Sequence, residues 1–317
     1  MPSGQVPRYP LRAGALILPW EGYYKVNKQD GKGLLITLAT FLLALFGLIF
    51  LPGCLTTQKS LSLPERELLV FAGAASKPPL EEIANKFQEK TGVKVRLTFG
   101  GSGTVLSQMK LSQQGDIYLP GSSDFMEIAK KEGVVDPTTE RIVVYLLPAI
   151  NVPKGNPQNI QKLEDLAKPG LKVALARPDT VCVGLYGAEI LEKEGLAEKV
   201  KKNIVTYAES CEKVANLVAL KQVDAALGWE VFASWEPDKI QTIFLPPEKV
   251  PRIGYIPVAI SKYTKQENLA RQFIEYLTSE EGKSVFKKWG YITTEEEARK
   301  LAPHAPVGGE YKLKSPW

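Results

Sequence analysis

A short apolar run, a turn rich in glycine and serine, and an amphipathic helix recur in that order along this chain. The repeat restricts its fold more than any other feature. Leu68 to Ala72 (LLVFA) reads as a buried strand, and the turn GAASKPP follows it. Leu80, Ile83, Ala84 and Phe87 then fall at i, i+3, i+4 and i+7, one face of a helix that ends near Gly92. Val93, Val95, Leu97 and Phe99 alternate with polar residues, as in a strand with one buried face. Gly100 to Thr104 (GGSGT) leads into a second helix carrying Val105, Leu106 and Met109. Asp116 to Leu119 is a third strand, and Pro120 to Asp124 opens a third helix reaching Glu132. Strands alternating with helices predict an α/β fold with a largely parallel sheet.

The pattern then shifts. Ile142 to Leu147 is a strand running into PAINVPKGNPQ, with three prolines in 11 residues. A second α/β series follows. It has strands at Leu171–Ala176, Ile204–Tyr207 and Val223–Leu227, with helices from about Gly184 and from Cys211 to about Lys221. After Pro246-Pro247 the chain is extended from Arg252 to Ile260. It ends in two amphipathic helices, marked by Leu269, Phe273, Tyr276 and Leu277 and by Val285, Phe286 and Trp289. Two α/β lobes joined by two extended crossovers account for this order.

Composition excludes several chemistries. The sequence has 317 residues, 44% hydrophobic and 24% charged, a globular balance with room for about two domains. Its net charge of +5 comes with no long basic block, so no nucleic-acid partner is expected. His304 is the single histidine, so Ser-His-Asp triads, Cys-His pairs and His-rich zinc sites would all depend on it. Three cysteines cannot make a zinc ribbon, and an odd number leaves one unpaired. No cofactor is expected.

Leu34 to Leu51 is an uncharged run of 18 residues behind Lys25, Lys28 and Lys32. A basic flank before such a run marks a signal peptide or a membrane anchor. Leu51-Pro52-Gly53-Cys54 resembles a lipobox, with Pro52 departing from the usual small residue, so Cys54 is the expected lipidation site. A retained helix is the alternative, since the run sits at the short end of what spans a bilayer. Either reading places the rest of the chain outside the cytoplasmic membrane. Residues 1–24 resemble no usual signal, and Val26 is a candidate alternative start. Residues 54–66 then read as a tether. Residues 1–53 carry five basic and two acidic residues, so most of the charge excess lies in this leader.

In open α/β sheets, ligands bind where strands feed helix N-termini. Ser76 and Ser102 occupy equivalent positions of that kind. Each is either a helix cap or a hydroxyl donor to an anion drawn by the unpaired N–H groups of a helix start. GGSGT lacks the Gly-Lys-Ser/Thr ending of a phosphate-binding loop and the third glycine of a dinucleotide fingerprint. Ser122 and Ser123 read as caps, because Asp124 beside them would repel an anion.

The stretches FAGAASKPPLEEIANKF, TFGGSGTVLSQM and GDIYLPGSSDFMEIA, followed by VVYLLPAINVPKGNP, RPDTVCVGLYGAEIL and YAESCEKVANLVALKQVDAALGW, resemble the molybdate- and tungstate-binding proteins of ABC importers. The resemblance runs from about Glu67 to Leu301. It implies a type-II periplasmic-binding-protein fold in which each lobe is a mostly parallel sheet flanked by helices. Lobe 1 would comprise residues 67–146 and 256–303, lobe 2 residues 147–255, and 304–317 a tail. It also implies a non-catalytic monomer, lipid-anchored beside a permease, that holds molybdate or tungstate in the interlobe cleft. The donors it implies are the hydroxyls of Ser76 and Ser102 and backbone N–H groups around Cys182, Val183, Gly184 and Val214. The tyrosine that many members place near the end of a second-lobe strand is absent. Here that region reads Leu227-Gly228-Trp229-Glu230, which leaves Glu230 as either a ligand group or a rim or capping residue. Trp229 is expected to pack, with a ligand role as the alternative, and Arg177 to pair with a nearby carboxylate such as Asp179, with a contact to the anion as the alternative. Cys182 and Cys211 each fall beside a second-lobe site loop, so a disulfide between them is expected, with a free buried pair as the alternative. Sulfate or another tetrahedral oxyanion remains an alternative ligand, and an α/β enzyme or a membrane-tethered sensor an alternative class.

Overall fold

The computed structural model describes residues 66–314 and 316–317. The leader and Cys54 lie outside the described residues.

The first sheet is built as the repeat predicts. β1 (Glu67–Gly73) runs through a single 3-10 turn into α1 (Lys77–Thr91), and β2 (Lys94–Gly100) follows. Pro78 and Pro79 sit in the first turn of α1, where their missing N–H groups cost nothing. The helix stops at Gly92, which takes the left-handed conformation (φ 69°) and returns its N–H to Gln88. Leu80, Ile83, Ala84 and Phe87 form its buried face, as their spacing predicts. Then come α2 (Ser102–Ser112), β3 (Ile117–Leu119), α3 (Ser123–Lys131) and β4 (Arg141–Leu146).

The chain crosses at Leu147 into the second sheet. β5 (Pro148–Pro153), β6 (Val173–Ala176), α4 (Cys182–Lys193), α5 (Ala197–Lys201) and β7 (Ile204–Ala208) come first. They are followed by α6 (Cys211–Ala219), β8 (Ala225–Trp229), α7 (Phe232–Trp235) and β9 (Ile240–Phe244). A second crossing returns it through β10 (Gly254–Ile260) to α8 (Glu267–Thr278), α9 (Glu280–Lys288) and α10 (Glu295–Leu301).

Each sheet has five strands, ordered β2-β1-β3-β10-β4 and β7-β6-β8-β5-β9. Both are mixed rather than mostly parallel. β1, β2 and β3 pair in parallel, as do β6, β7 and β8. β10 is antiparallel to both β3 and β4, and β5 to both β8 and β9. The cause is connection length. A strand that arrives straight from the other sheet, with no helix to carry the chain back, enters in the reverse direction.

Strand β5 lies inside the proline-rich stretch that follows the strand expected at Ile142–Leu147. It escapes disruption because Pro148 and Pro153 occupy its two ends, where a missing ladder donor is tolerated. The expected strand at Val223–Leu227 is shifted to Ala225–Trp229. Val95, Leu97 and Phe99 are half-buried rather than buried, because β2 is an edge strand. Ala302 and Ala305 join Ala298 of α10 in the core that holds Leu147 and Ile253 of the two crossings.

Candidate functional site

The starts of α1, α2 and α4 are brought to one point, and Gly121 marks it. The Gly121 N–H donates to Ser102 Oγ at 3.0 Å. A Cβ on Gly121 would lie 2.5 Å from Cys182 Sγ and 2.9 Å from Ala75 Cβ, so only glycine lets the three loops meet. The Gly103 N–H donates across the boundary between the sheets to the Thr180 carbonyl at 2.9 Å. On the same boundary Lys77 Nζ pairs with Glu212 Oε1 at 2.7 Å.

These three helix starts differ from others in the molecule. Ser210, Ser279 and Thr294 cap α6, α9 and α10 with their hydroxyls. By contrast α1, α2 and α4 have no side-chain cap and no acidic residue in the first turn. At α1 the Lys77 N–H is taken by the Ala74 carbonyl and Pro78 and Pro79 have none, so the backbone donors, with their partial positive charge, lie at the starts of α2 and α4.

Neither candidate serine is a cap. Ser76 is fully buried and turns its Oγ–H back to the Gly73 carbonyl at 3.0 Å. Ser102 is the first residue of α2, 1% exposed, with its Oγ accepting from Gly121. Ser122 and Ser123 do not cap α3 either. Ser122 Oγ donates to Asp124 Oδ2 at 3.0 Å, and Ser123 Oγ to the Gly309 carbonyl at 2.8 Å. Ser122 is claimed by the carboxylate two residues on, and Ser123 by a carbonyl that only the fold brings near.

The backbone donors are fewer than expected. Cys182 and Val183 open α4, but the Gly184 N–H is already turned to the Val181 carbonyl at 3.0 Å. Gly184 serves close packing instead, since a Cβ there would meet the Ala176 carbonyl oxygen at 2.3 Å. The Val214 N–H is likewise engaged, by the Ser210 carbonyl at 3.2 Å, because α6 begins three residues earlier at Cys211.

The expected disulfide is absent. Cys182 and Cys211 are free, buried thiols with sulfurs 3.6 Å apart, well beyond a covalent bond of about 2.05 Å. Burial pushes the Cys211 thiol well up, and its neighbour's charge adds to this. Burial also works against ionisation of Cys182. There it is outweighed by donors from Cys211, Trp229, Ser102 and the Val183 N–H, which hold the thiol below its ordinary range. The donors gathered here therefore favour negative charge.

Glu230 sits behind this point, at the first crossing. Its Oε2 accepts from the Leu147 N–H at 2.7 Å, and its own N–H donates to the Leu147 carbonyl at 3.0 Å. Burial raises its carboxyl to about 8, and Oε1 has no hydrogen-bond partner. Among the readings given above, this is a capping carboxyl, and it caps a hinge strand rather than the rim. Trp229 packs as expected, its ring edge-on to Tyr186 at 4.9 Å. Arg177 pairs with Asp179 at 2.9 Å as expected. Arg177 lines a cavity of about 540 Å³ with Gly101, Thr180 and Ser210, a solvent path to the converging helix starts.

Sequence reasoning missed Gly121 and Arg252. The Arg252 guanidinium is 4% exposed and bridges Asp124 of α3 and Glu189 of α4, at 3.0 and 2.7 Å. An arginine at the head of the apolar run RIGYIPVAI was the one available signal.

Two sheets exchanging the chain twice, with helix starts meeting between them, make the two-lobed architecture of a solute-binding protein. The chain belongs to the bacterial extracellular solute-binding protein family, whose model matches residues 68–292. It is 28% identical over 260 residues to YvgL of Bacillus subtilis, named as a substrate-binding lipoprotein of an ABC transporter, covering 79% of this chain and 96% of that one. It is 27% identical over 229 residues to the molybdate-binding protein ModA of Mycobacterium tuberculosis, covering 71% of this chain and 84% of the relative. The solved periplasmic molybdate-binding protein of Azotobacter vinelandii superposes with a TM-score of 0.65 at 20% identity, over 72% of this chain and all of that one. The fold is thus the type-II periplasmic-binding-protein fold, and the protein is a solute-binding protein, not an enzyme.

Proposed function

We propose that this protein captures a tetrahedral oxyanion, molybdate or tungstate, between its two lobes and delivers it to an ABC importer while tethered by lipid at Cys54. The observation that carries this reading is the meeting of the starts of α1, α2 and α4 at Gly121, beside the Ser102 hydroxyl, with neither side-chain caps nor acidic residues in their first turns. Such a cluster stabilises a dianion with neutral donors alone. Within it Ser76 and Ser102 supply hydroxyl donors, and Cys182 and Val183 supply backbone N–H groups. The names of the relatives, molybdate-binding in two of the three, support the choice of anion. The metal centre of such an anion is cargo. Closure bends the chain at Leu147 and between β9 and β10, the two places where it passes between the sheets.

A thermal-shift panel of molybdate, tungstate, sulfate, phosphate and vanadate tests the reading. A shift with molybdate and tungstate alone is the expected result. A shift with sulfate instead moves the assignment to another tetrahedral oxyanion, and no shift with any anion removes the reading. Within the same panel Ser102→Ala should weaken molybdate binding by about 10- to 100-fold, the worth of one hydrogen bond to a charged group, as read by titration calorimetry. Undiminished affinity would take Ser102 out of the site.

A further inference from the structure

We propose that residues 306–314, with Pro316 and Trp317, form a strap across one flank of the molecule that holds the two lobes closed and slows release of the bound solute. The strap starts at the second crossing. Val307 bridges Ile253, with the Ile253 N–H donating to the Pro306 carbonyl and the Gly308 N–H to the Ile253 carbonyl, both at 2.8 Å. Gly308 and Gly309 then take left-handed conformations (φ 67° and 87°) and turn the chain outward. A Cβ on Gly308 would lie 2.3 Å from the Tyr255 ring, so the turn needs glycine on both counts.

Next the strap grips α3, on the first sheet's side. The Gly309 carbonyl accepts from Ser123 Oγ at 2.8 Å and from Arg252 Nη1 at 2.7 Å. The Tyr311 N–H donates to Asp124 Oδ1 at 2.9 Å, and Glu310 pairs with Lys131 at 2.7 Å. It then grips α4 and α5, on the second sheet's side. Glu192 accepts from Tyr311 Oη at 2.5 Å, the Lys314 N–H at 3.2 Å and Trp317 Nε1 at 2.8 Å. Lys201 Nζ lies 4.5 Å from the Trp317 ring centroid and 3.1 Å from the Pro316 carbonyl oxygen. Burial works against ionisation of Glu192, but these donors outweigh it and hold the carboxyl below its ordinary range.

Tyr311 is the pivotal residue. Its backbone is tied to Asp124 on one lobe and its side chain to Glu192 on the other. Moving the lobes apart separates α3 from α4, so one of these bonds must break before the cleft opens. The last residues reach Arg177 and Asp179, beside the solvent path to the helix starts. The strap therefore runs from the hinge to the mouth. Its action does not depend on which solute the cleft takes.

The test compares hydrogen–deuterium exchange of the full chain with that of a chain ending at Gly308, with no solute added. Loss of the strap should speed exchange about tenfold at the cleft-facing backbone of residues 101–105 and 181–185, leaving strands β1 and β6 unchanged. Equal exchange at the cleft would overturn the proposal. So would faster exchange in the strands too, since that marks a general stability role. If the shortened chain does not fold, the full-length double variant Tyr311→Phe, Trp317→Ala should give the same pattern on a smaller scale, and an unchanged pattern there would equally sink the strap.

Discussion

Arg252→Ala should cost about 3 to 5 kcal/mol of folding stability, the usual consequence of removing one partner from a buried ion pair. The guanidinium touches Asp124 and Glu189, accepts Tyr186 under its face at 4.1 Å and donates to the Gly309 carbonyl at 2.7 Å. Both carboxylates are nearly inaccessible, Asp124 at 3% and Glu189 at 2% exposure. Without the guanidinium they are left buried and negative, with Lys193 as the remaining cation beside Glu189 at 2.9 Å. For a chain of this size the loss corresponds to a fall in Tm of about 10 °C. Arg252→Lys should recover only part of it, because an ammonium cannot satisfy both carboxylates and stack on Tyr186 at once. Calorimetric unfolding of the three proteins checks this, and an alanine variant within 1 kcal/mol of the parent, a margin of about 3 °C, would refute it.

The second large effect is a pH dependence set by Glu230. Its carboxyl titrates near 8 in the folded protein against an ordinary 4.5. Between these values the folded chain keeps a proton that the unfolded chain has lost. Stability from this group is therefore complete below about pH 4.5 and declines as the pH rises. It is gone above about pH 8, a total on the order of 5 kcal/mol. Glu230→Gln keeps an acceptor for the Leu147 N–H and cannot ionise. Its stability should be nearly flat across this window, and greater than the parent's at pH 8. Chemical denaturation at pH 5, 6.5 and 8 reads the slope directly. Parallel profiles for parent and variant would show that Glu230 does not hold this proton. The same ionisation places a negative charge behind the helix starts, so anion affinity should also fall as the pH rises toward 8.

Much of the site's location was legible, and less of its chemistry. The turns holding Ser76 and Ser102 follow from period alone, because strand and helix patterns alternate and the turn between them must lie at the sheet edge. Whether those serines cap helices does not follow, since a cap depends on where one hydroxyl points. Both point elsewhere, and so do Ser122 and Ser123. Cys182 and Cys211 were expected side by side and are, but a separation of 29 positions along the chain sets no sulfur-to-sulfur distance. Gly184 and Val214 were matched as donors by position, yet each N–H is engaged inside its own helix start. Strand β5 was obscured by its prolines, which mark its ends rather than interrupt it. The strap left no trace in the pattern, because Gly308, Gly309, Tyr311 and Trp317 have no periodicity and their partners lie up to 187 residues away.

The sequence by itself determined the two α/β series, the order of most of their strands and helices, and the turns that carry the candidate donors. Those are consequences of local periodicity and turn chemistry, which act over a few residues. Only the tertiary structure decided the mixed character of the sheets, the meeting of three uncapped helix starts at Gly121, the free state of the thiols and the bridging of both lobes by Arg252 and Tyr311. Each of these depends on groups far apart in the chain coming within about 3 Å, where hydrogen bonds and close contacts act, and no local pattern encodes such a distance.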